Sequence, residues 1–549
     1  MFNLKSAYFY FLAIKINLIK IIKKIYFTTN FYNRSLRSKI PKHFYFYPNP
    51  FLLSSIISYK NFAFKINNIQ LNSFWDKQKI KSEEKRINSF LWLNLIDRKN
   101  DSLIIQQIIS LWIKKNKNYK KTIWENTIIS RRVISWILNS EIILANTNIY
   151  FKESFLNSLI VQINHLKKNV KFEKNHSKKI EILVAILLSG LVFKEYPENF
   201  KLSLKELESL IKQSFDEDGF PLSRNPNHLL KFSKYFILIK ECIKDAQQYV
   251  PDFLDEIIKK NLSCIKNITT PENKMPLLNG ATEVSMEDYF KYITNLNYKT
   301  KITKPNVGGI TVLKHKKNVI FFDVGIPPKK NYSAAYQSGP LSFEYFVDSN
   351  KVITNCGFGY NISKKAMLIS RLTSAQSTLT INDTSTVKFE RNKILNEAFG
   401  NSIKSSFKVY NNSFNDNEIE IKAEASHNAY ENIFGYVHKR EIKINKKTND
   451  LFGEDELINK KNEKLIKYAL RFHLYPGIEA VKTLGGDSVL IHINKNKSLI
   501  FSSKDQQLSV EKSIFLGKNK ILNNLCITIS GNLINKNKFI NWKIIKSVS

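Results

Sequence analysis

The hydrophobic period of this chain changes once, and that change limits the folds open to it. From about residue 87 to 264, apolar residues recur at helical spacing with polar faces between them. After about residue 300 they come in short alternating or apolar runs bounded by Gly, Asn, Asp or Lys. Side chains repeat every 3.6 residues around a helix and every 2 along a strand, so neither pattern can bury its apolar set in the other's structure. The expected fold class is α+β multidomain, helices first and an antiparallel β-sandwich second.

The periodicity predicts helices over 87–95, 102–114, 127–144, 151–168, 177–193, 203–215, 228–244 and 252–265. Pro197, Pro221, Pro226 and Pro251 fall at the breaks, where proline is tolerated. Short connections imply antiparallel helical hairpins, and no fixed repeat marks a solenoid. Strands are expected at 309–313, 318–324, 341–347, 377–381, 418–425 and 498–501. The boundary is expected between Thr269 and Lys304. This gives an N-terminal segment 1–60, a helical domain 61–300 and a β-domain 301–549, with a cleft between the two domains as the default site.

The first 29 residues are apolar and basic. Their longest uncharged stretch is 7–14, after which Lys15, Lys20, Lys23 and Lys24 interrupt the run. A membrane-spanning helix needs about 18 or more apolar residues in succession, which this stretch lacks. It also lacks the small-residue cleavage site of a secretory leader. It suits an amphipathic segment lying on a membrane surface or on the protein itself. Residues 32–53 read as an extended linker and 62–75 as a short hairpin.

The formal net charge of +38 over 549 residues favours polyanionic partners. Lysine is dispersed rather than gathered in one stripe, no nucleic-acid motif is present, and much of the charge reads as solvated surface, so no nucleic-acid partner is expected. Cys242, Cys264, Cys356 and Cys526 are far apart without a CxxC, which reads as scattered buried thiols rather than a disulfide or zinc framework.

Asn175-His176 opens the apolar run 180–193. An imidazole exchanges a proton near neutral pH and an amide can hydrogen-bond an oxyanion. The competing reading is an Asn helix cap followed by a polar first-turn His.

The order of local phrases resembles the heparinase II/III family of polysaccharide lyases. These phrases are Phe90-Leu91-Trp92-Leu93, Trp124 with Ser130-Arg131-Arg132, Asn175-His176, Asp218-Gly219 leading to Ser223-Arg224-Asn225-Pro226, Phe322-Asp323-Val324-Gly325, Leu341-Ser342-Phe343-Glu344, Asn355-Cys356-Gly357, Ser377-Thr378-Leu379, Ser426-His427, Val437-His438-Lys439-Arg440 and Leu470-Arg471-Phe472-His473. The likeness runs from about Asn61 to Ser530. It implies an incomplete (α/α) toroid followed by an antiparallel β-sandwich. It also implies β-elimination at a uronic acid: one group shields the carboxylate, one removes the C5 proton, and one protonates the leaving oxygen. On this pattern His176 is the base, Asn175 and Arg224 neutralise the carboxylate, and Tyr336 or Tyr235 donates the proton. Lys179, one turn past Asn175-His176, and His228 are candidates for substrate contact.

The chain departs from the family pattern in the β-domain. Relatives carry a His-x-His segment before the Leu-Ser-Phe strand, one His catalytic and one a zinc ligand. Here Ala334 and Tyr336 stand in those places, with Asn355 and Gln376 at later expected ligand positions. The catalytic Tyr expected after Ser-Arg-Asn-Pro reads as Leu230. Neutral amides and a phenol are poor zinc ligands, so neither a metal nor any other cofactor is expected. Three functions follow, in this order: a lyase on an acidic polysaccharide, a degenerate relative that binds an acidic glycan without cleaving it, and, from charge alone and without a motif, a nucleic-acid binder. The resemblance places the protein in the cell envelope; no clean export signal accompanies it, which leaves the cytoplasm open.

Overall fold

The computed structural model describes residues 4–56, 81–95, 102–461, 463–504 and 506–547. The expected hairpin at 62–75 lies outside them. The helical half contains α1 (Leu4–Thr28), α2 (Asn30–Ser35), α3 (Lys81–Asn88), α4 (Ser102–Lys115), α5 (Asn126–Leu138), α6 (Ser140–Ile143), α7 (Ile149–Asn169), α8 (His176–Val192), α9 (Pro197–Ser214), α10 (Pro226–Asp245), α11 (Asp252–Ile268) and α12 (Glu287–Asn295). Helix α8 packs on α5, α7 and α9, while α4 and α5 both pack on α7. This is the array of helical hairpins expected of an incomplete (α/α) toroid.

Three sequence expectations shift here. The helix expected at 87–95 is α3 followed by a separate 3₁₀ turn, Leu91–Leu95. Phe90 sits between them at φ 57°, a left-handed conformation uncommon for a bulky residue. Its ring centroid lies 5.8 Å from that of Trp112 and 5.3 Å from that of Trp136, so aromatic packing offsets the backbone strain. The helix expected at 127–144 breaks at Asn139 into α5 and α6. The extended linker 32–53 instead begins within α2 and ends in a 3₁₀ turn, Pro50–Leu53.

The β-half is a sandwich of two antiparallel sheets. Its strands are β1 (Asn306–Val307), β2 (Ile310–His315), β3 (Asn318–Asp323), β4 (Phe343–Val347), β5 (Asn350–Thr354), β6 (Leu379–Ile381), β7 (Val409–Asp416), β8 (Glu420–His427), β9 (Tyr436–Asn445), β10 (Leu451–Asn459), β11 (Ile466–Leu474), β12 (Glu479–Lys482), β13 (Ser488–Asn494), β14 (Lys497–Ser502), β15 (Gln507–Phe515), β16 (Leu522–Leu533) and β17 (Lys538–Lys546). One sheet runs β1-β2-β3-β4-β5-β11-β16-β15, with β6 also on β11; the other runs β12-β13-β14-β17-β10-β9-β8-β7. Along β9 and β10 buried and half-buried residues alternate, as a sheet with one face on a core requires. Trp542 of the second sheet stacks on Phe343 of the first at 5.6 Å and 9°. Gly453 pairs opposite Trp542, and a Cβ there would fall 2.0 Å from the indole.

Behind Trp542 lies a buried polar hub. Asp455 accepts from Trp542 Nε1 at 2.8 Å, from Arg440 Nε at 2.8 Å and from His438 Nε2 at 2.6 Å, and His438 Nδ1 meets His427 Nε2 at 3.2 Å. Burial alone would push the Asp455 carboxyl up, but Arg440 and His438 together hold it below the usual carboxylate range. The four cysteines are free and buried, as expected.

The two compact units interleave in sequence. One comprises residues 14–214 and 231–259; the other comprises 1–13, 215–230 and 260–549.

Two predictions follow from this packing. Asp455→Asn leaves Arg440 buried without its counter-charge and should cost about 3–5 kcal/mol, read as a lower denaturant midpoint. Burial lowers His473 to about 4 and His165 to about 3. Below pH 6.5 the unfolded chain binds protons at these residues that the folded chain refuses, so stability falls as pH drops from 6.5 toward 4. Melting temperature against pH should show that slope, and His473→Gln should flatten it.

Candidate active site

The first turn of α8 carries three of the residues singled out from sequence. Asn175 is the exposed helix cap: its Oδ1 accepts from Lys178 N at 3.1 Å in an extended backbone conformation. His176 is half-buried and its Nδ1 lies 2.6 Å from Ser214 Oγ at the end of α9. Burial, and secondarily Lys179, lowers the imidazole below 6.5, so the ring is neutral at neutral pH. In the tautomer whose Nδ1–H donates to Ser214 Oγ, Nε2 carries the basic lone pair. Lys179 pairs with Glu206 at 2.7 Å and keeps about a fifth of its side chain exposed.

Beneath this turn is a carboxylate that the sequence reading passed over. Glu181 is fully buried, four residues past Ser177 on the same helix face. Arg131 of α5 grips it bidentately, Nε to Oε2 at 2.7 Å and Nη2 to Oε1 at 3.0 Å. Lys231 of α10 approaches Oε1 at 2.5 Å and also donates to Ser177 O. Burial pushes the Glu181 carboxyl up, but Lys231 and Arg131 more than offset this and hold it ionised. Both cations retain partial exposure, 41% for Arg131 and 25% for Lys231. The signal was present in the sequence: an acidic residue inside an otherwise apolar run is a buried charge that must be paired.

The other expected site residues do other work. Arg224 follows the Asp-Gly turn at φ 56° and is 7% exposed. Its five N–H donors go to Gly308 O, Gly325 O, Ile326 O, Gly309 O and Asp323 Oδ1, at 2.5–3.3 Å. None is left for a substrate carboxylate, which corrects the neutraliser role expected of it. Tyr336 is 1% exposed, and its phenol is buried near Asp323 and Arg224 with no hydrogen-bond partner among the described residues. Burial pushes that phenol strongly up, so the role of solvent-facing proton donor is corrected too. Tyr235 is 3% exposed within α10 and is core, not substrate contact. His228 Nδ1 meets Ser223 Oγ at 2.9 Å in the first turn of α10.

The positions where relatives hold zinc do not fit a metal. Asn355 Oδ1 accepts from Ser377 N at 2.9 Å and Gln376 Nε2 donates to Ser370 O at 2.8 Å, so neutral amides already engaged in the loops occupy the place. Among the described residues no group of three His, Cys, Asp or Glu side chains is placed to hold a metal ion.

Residues 300–543 match the family model described as heparinase II/III-like, C-terminal. The fold is similar to that of heparan sulfate lyase HepC from Pedobacter heparinus, with a TM-score of 0.63 and 15% identity over 86% of this chain and 78% of that one. It is similar to a heparinase III at TM-score 0.68 and 14% identity, over 85% and 76%. A further heparinase III gene product gives 0.67 and 13%, over 90% and 83%. No curated protein sequence matches the chain.

Arg224→Ala should leave Asp323 buried and unpaired and lower stability by about 3–5 kcal/mol, measured by chemical denaturation. A purely catalytic Arg would leave the midpoint unchanged.

Proposed function

We propose, from the match of residues 300–543 to the heparinase II/III-like C-terminal family model, that the chain is a lyase for an acidic, uronate-containing polysaccharide. The observation that carries this reading is a neutral, half-buried His176 with the Lys179 cation acting on its ring and Lys231 donating to the carbonyl of the next residue, Ser177. A uronate C5 proton becomes removable once the adjacent carboxylate is neutralised, and a partly exposed lysine beside an imidazole suits that task. His176 takes the C5 proton; that C–H electron pair forms the C4–C5 double bond; the C4–oxygen bond breaks, and the glycosidic oxygen takes a proton. With Tyr336 and Tyr235 buried, the imidazolium of His176 is the group we assign to return it. Asn175 and Lys179 hold the carboxylate, Asn175 through its amide.

A second reading is favoured by a specific observation. Arg224, Tyr235 and Tyr336 are all buried, so a scaffold with one surviving proton-transfer group can bind an acidic glycan without cleaving it.

The test follows ultraviolet absorbance of the new double bond across a panel of uronate polysaccharides. His176→Ala should lower the rate by about 10²–10⁴-fold. The rate of the native protein should hold through the pH range where an ordinary imidazole protonates and fall only in more acid solution, because burial and Lys179 lower the His176 pKa. Glycan binding without absorbance change, unaltered in His176→Ala, would leave the binding function.

A further inference from the structure

Helix α1 is amphipathic in an unusual sense: its apolar stripe points away from the protein. Phe11, Ile14, Leu18, Ile21, Ile22 and Ile25 recur at intervals of three and four and share one face. Their exposure runs from 46% at Ile14 to 68% at Phe11. The opposite face is the one that packs. Ala13 is fully buried, the Phe27 ring lies 5.2 Å from that of Tyr119 and 5.4 Å from that of His165, and Lys23 sits 2.9 Å over the ring of Phe172. A soluble surface rarely leaves so continuous an apolar strip in water without a use for it.

Charge identifies what covers the strip. The 25 residues of α1 hold five lysines and no acidic residue. Lys15, Lys20 and Lys24 are exposed, and Arg34, Arg37, Lys39 and Lys42 follow, also exposed. A second copy of the chain would set lysine against lysine, on a molecule already at +38. An anionic surface with an apolar interior meets both features at once. Length fits a surface position: the helix is about 37 Å long at 1.5 Å per residue. Among the described residues no helix is long and apolar enough to cross a membrane.

We infer that α1 seats the protein on an anionic lipid bilayer, lying in the interface with Phe11, Leu18 and Ile22 buried among the acyl chains and its lysines at the headgroups. This inference is independent of whether His176 catalyses.

The experiment is co-sedimentation of the full chain with vesicles of phosphatidylglycerol and phosphatidylcholine, against vesicles of phosphatidylcholine alone. Native protein should bind the anionic vesicles preferentially, and Leu18→Glu with Ile22→Glu should weaken binding at least about tenfold. Both positions are exposed, so circular dichroism and melting temperature should match the native protein. Lys15→Gln, Lys20→Gln and Lys24→Gln together should erase the preference for anionic vesicles. Full binding by the Leu18→Glu, Ile22→Glu variant would overturn the inference, as would equal or absent binding of the native protein to both vesicles. A native dimer by light scattering that the same two substitutions dissolve would overturn it in favour of a second copy.

Discussion

A buried carboxylate is the constraint on which the helical half turns. Glu181 sits at zero exposure on a helix whose other inward residues, Ser189 apart, are hydrocarbon. An uncompensated ion there would cost several kcal/mol or more, so the fold must bring cations to it. Arg131 arrives from α5 and Lys231 from α10. Lys231 also donates to Ser177 O in the first turn of α8, next to His176.

The β-half uses the same device in two places. Asp455 gathers Arg440, His438 and Trp542 between the sheets, and Asp323 with four backbone carbonyls captures Arg224. Arg224 lies in a segment that the chain enters between two helices, yet its guanidinium is bound entirely within the loops around Gly308 and Gly325. A Cβ on Gly325 would fall 2.3 Å from the guanidinium carbon, so glycine there is a condition of the anchor. This is why residues 215–230 group with the β-half and the compact units interleave.

Much of the architecture was legible because hydrophobic period is a local property. The runs that became α4, α7, α8 and α11 could be read within a few residues, as could β3 and β14. The Phe90 kink was not, because its cause is the packing of Trp112 and Trp136, far along the chain. Nor did pattern reveal α12, a nine-residue helix without a long apolar repeat.

The sequence by itself determined the order of a helical half and a β-half, the capping of α8 by Asn175, the placing of His176 beside it, and the absence of ordinary zinc ligands at Asn355 and Gln376. Each depends on residue type and near neighbours. Only the tertiary structure decided which polar residues are available for chemistry. Arg224, Tyr235 and Tyr336 are good candidates by type, and burial removes all three; Arg131 and Lys231 take their role from the buried Glu181 that both pair with. The physical reason is that availability depends on desolvation and on partners distant in the chain, and neither is written in local spacing.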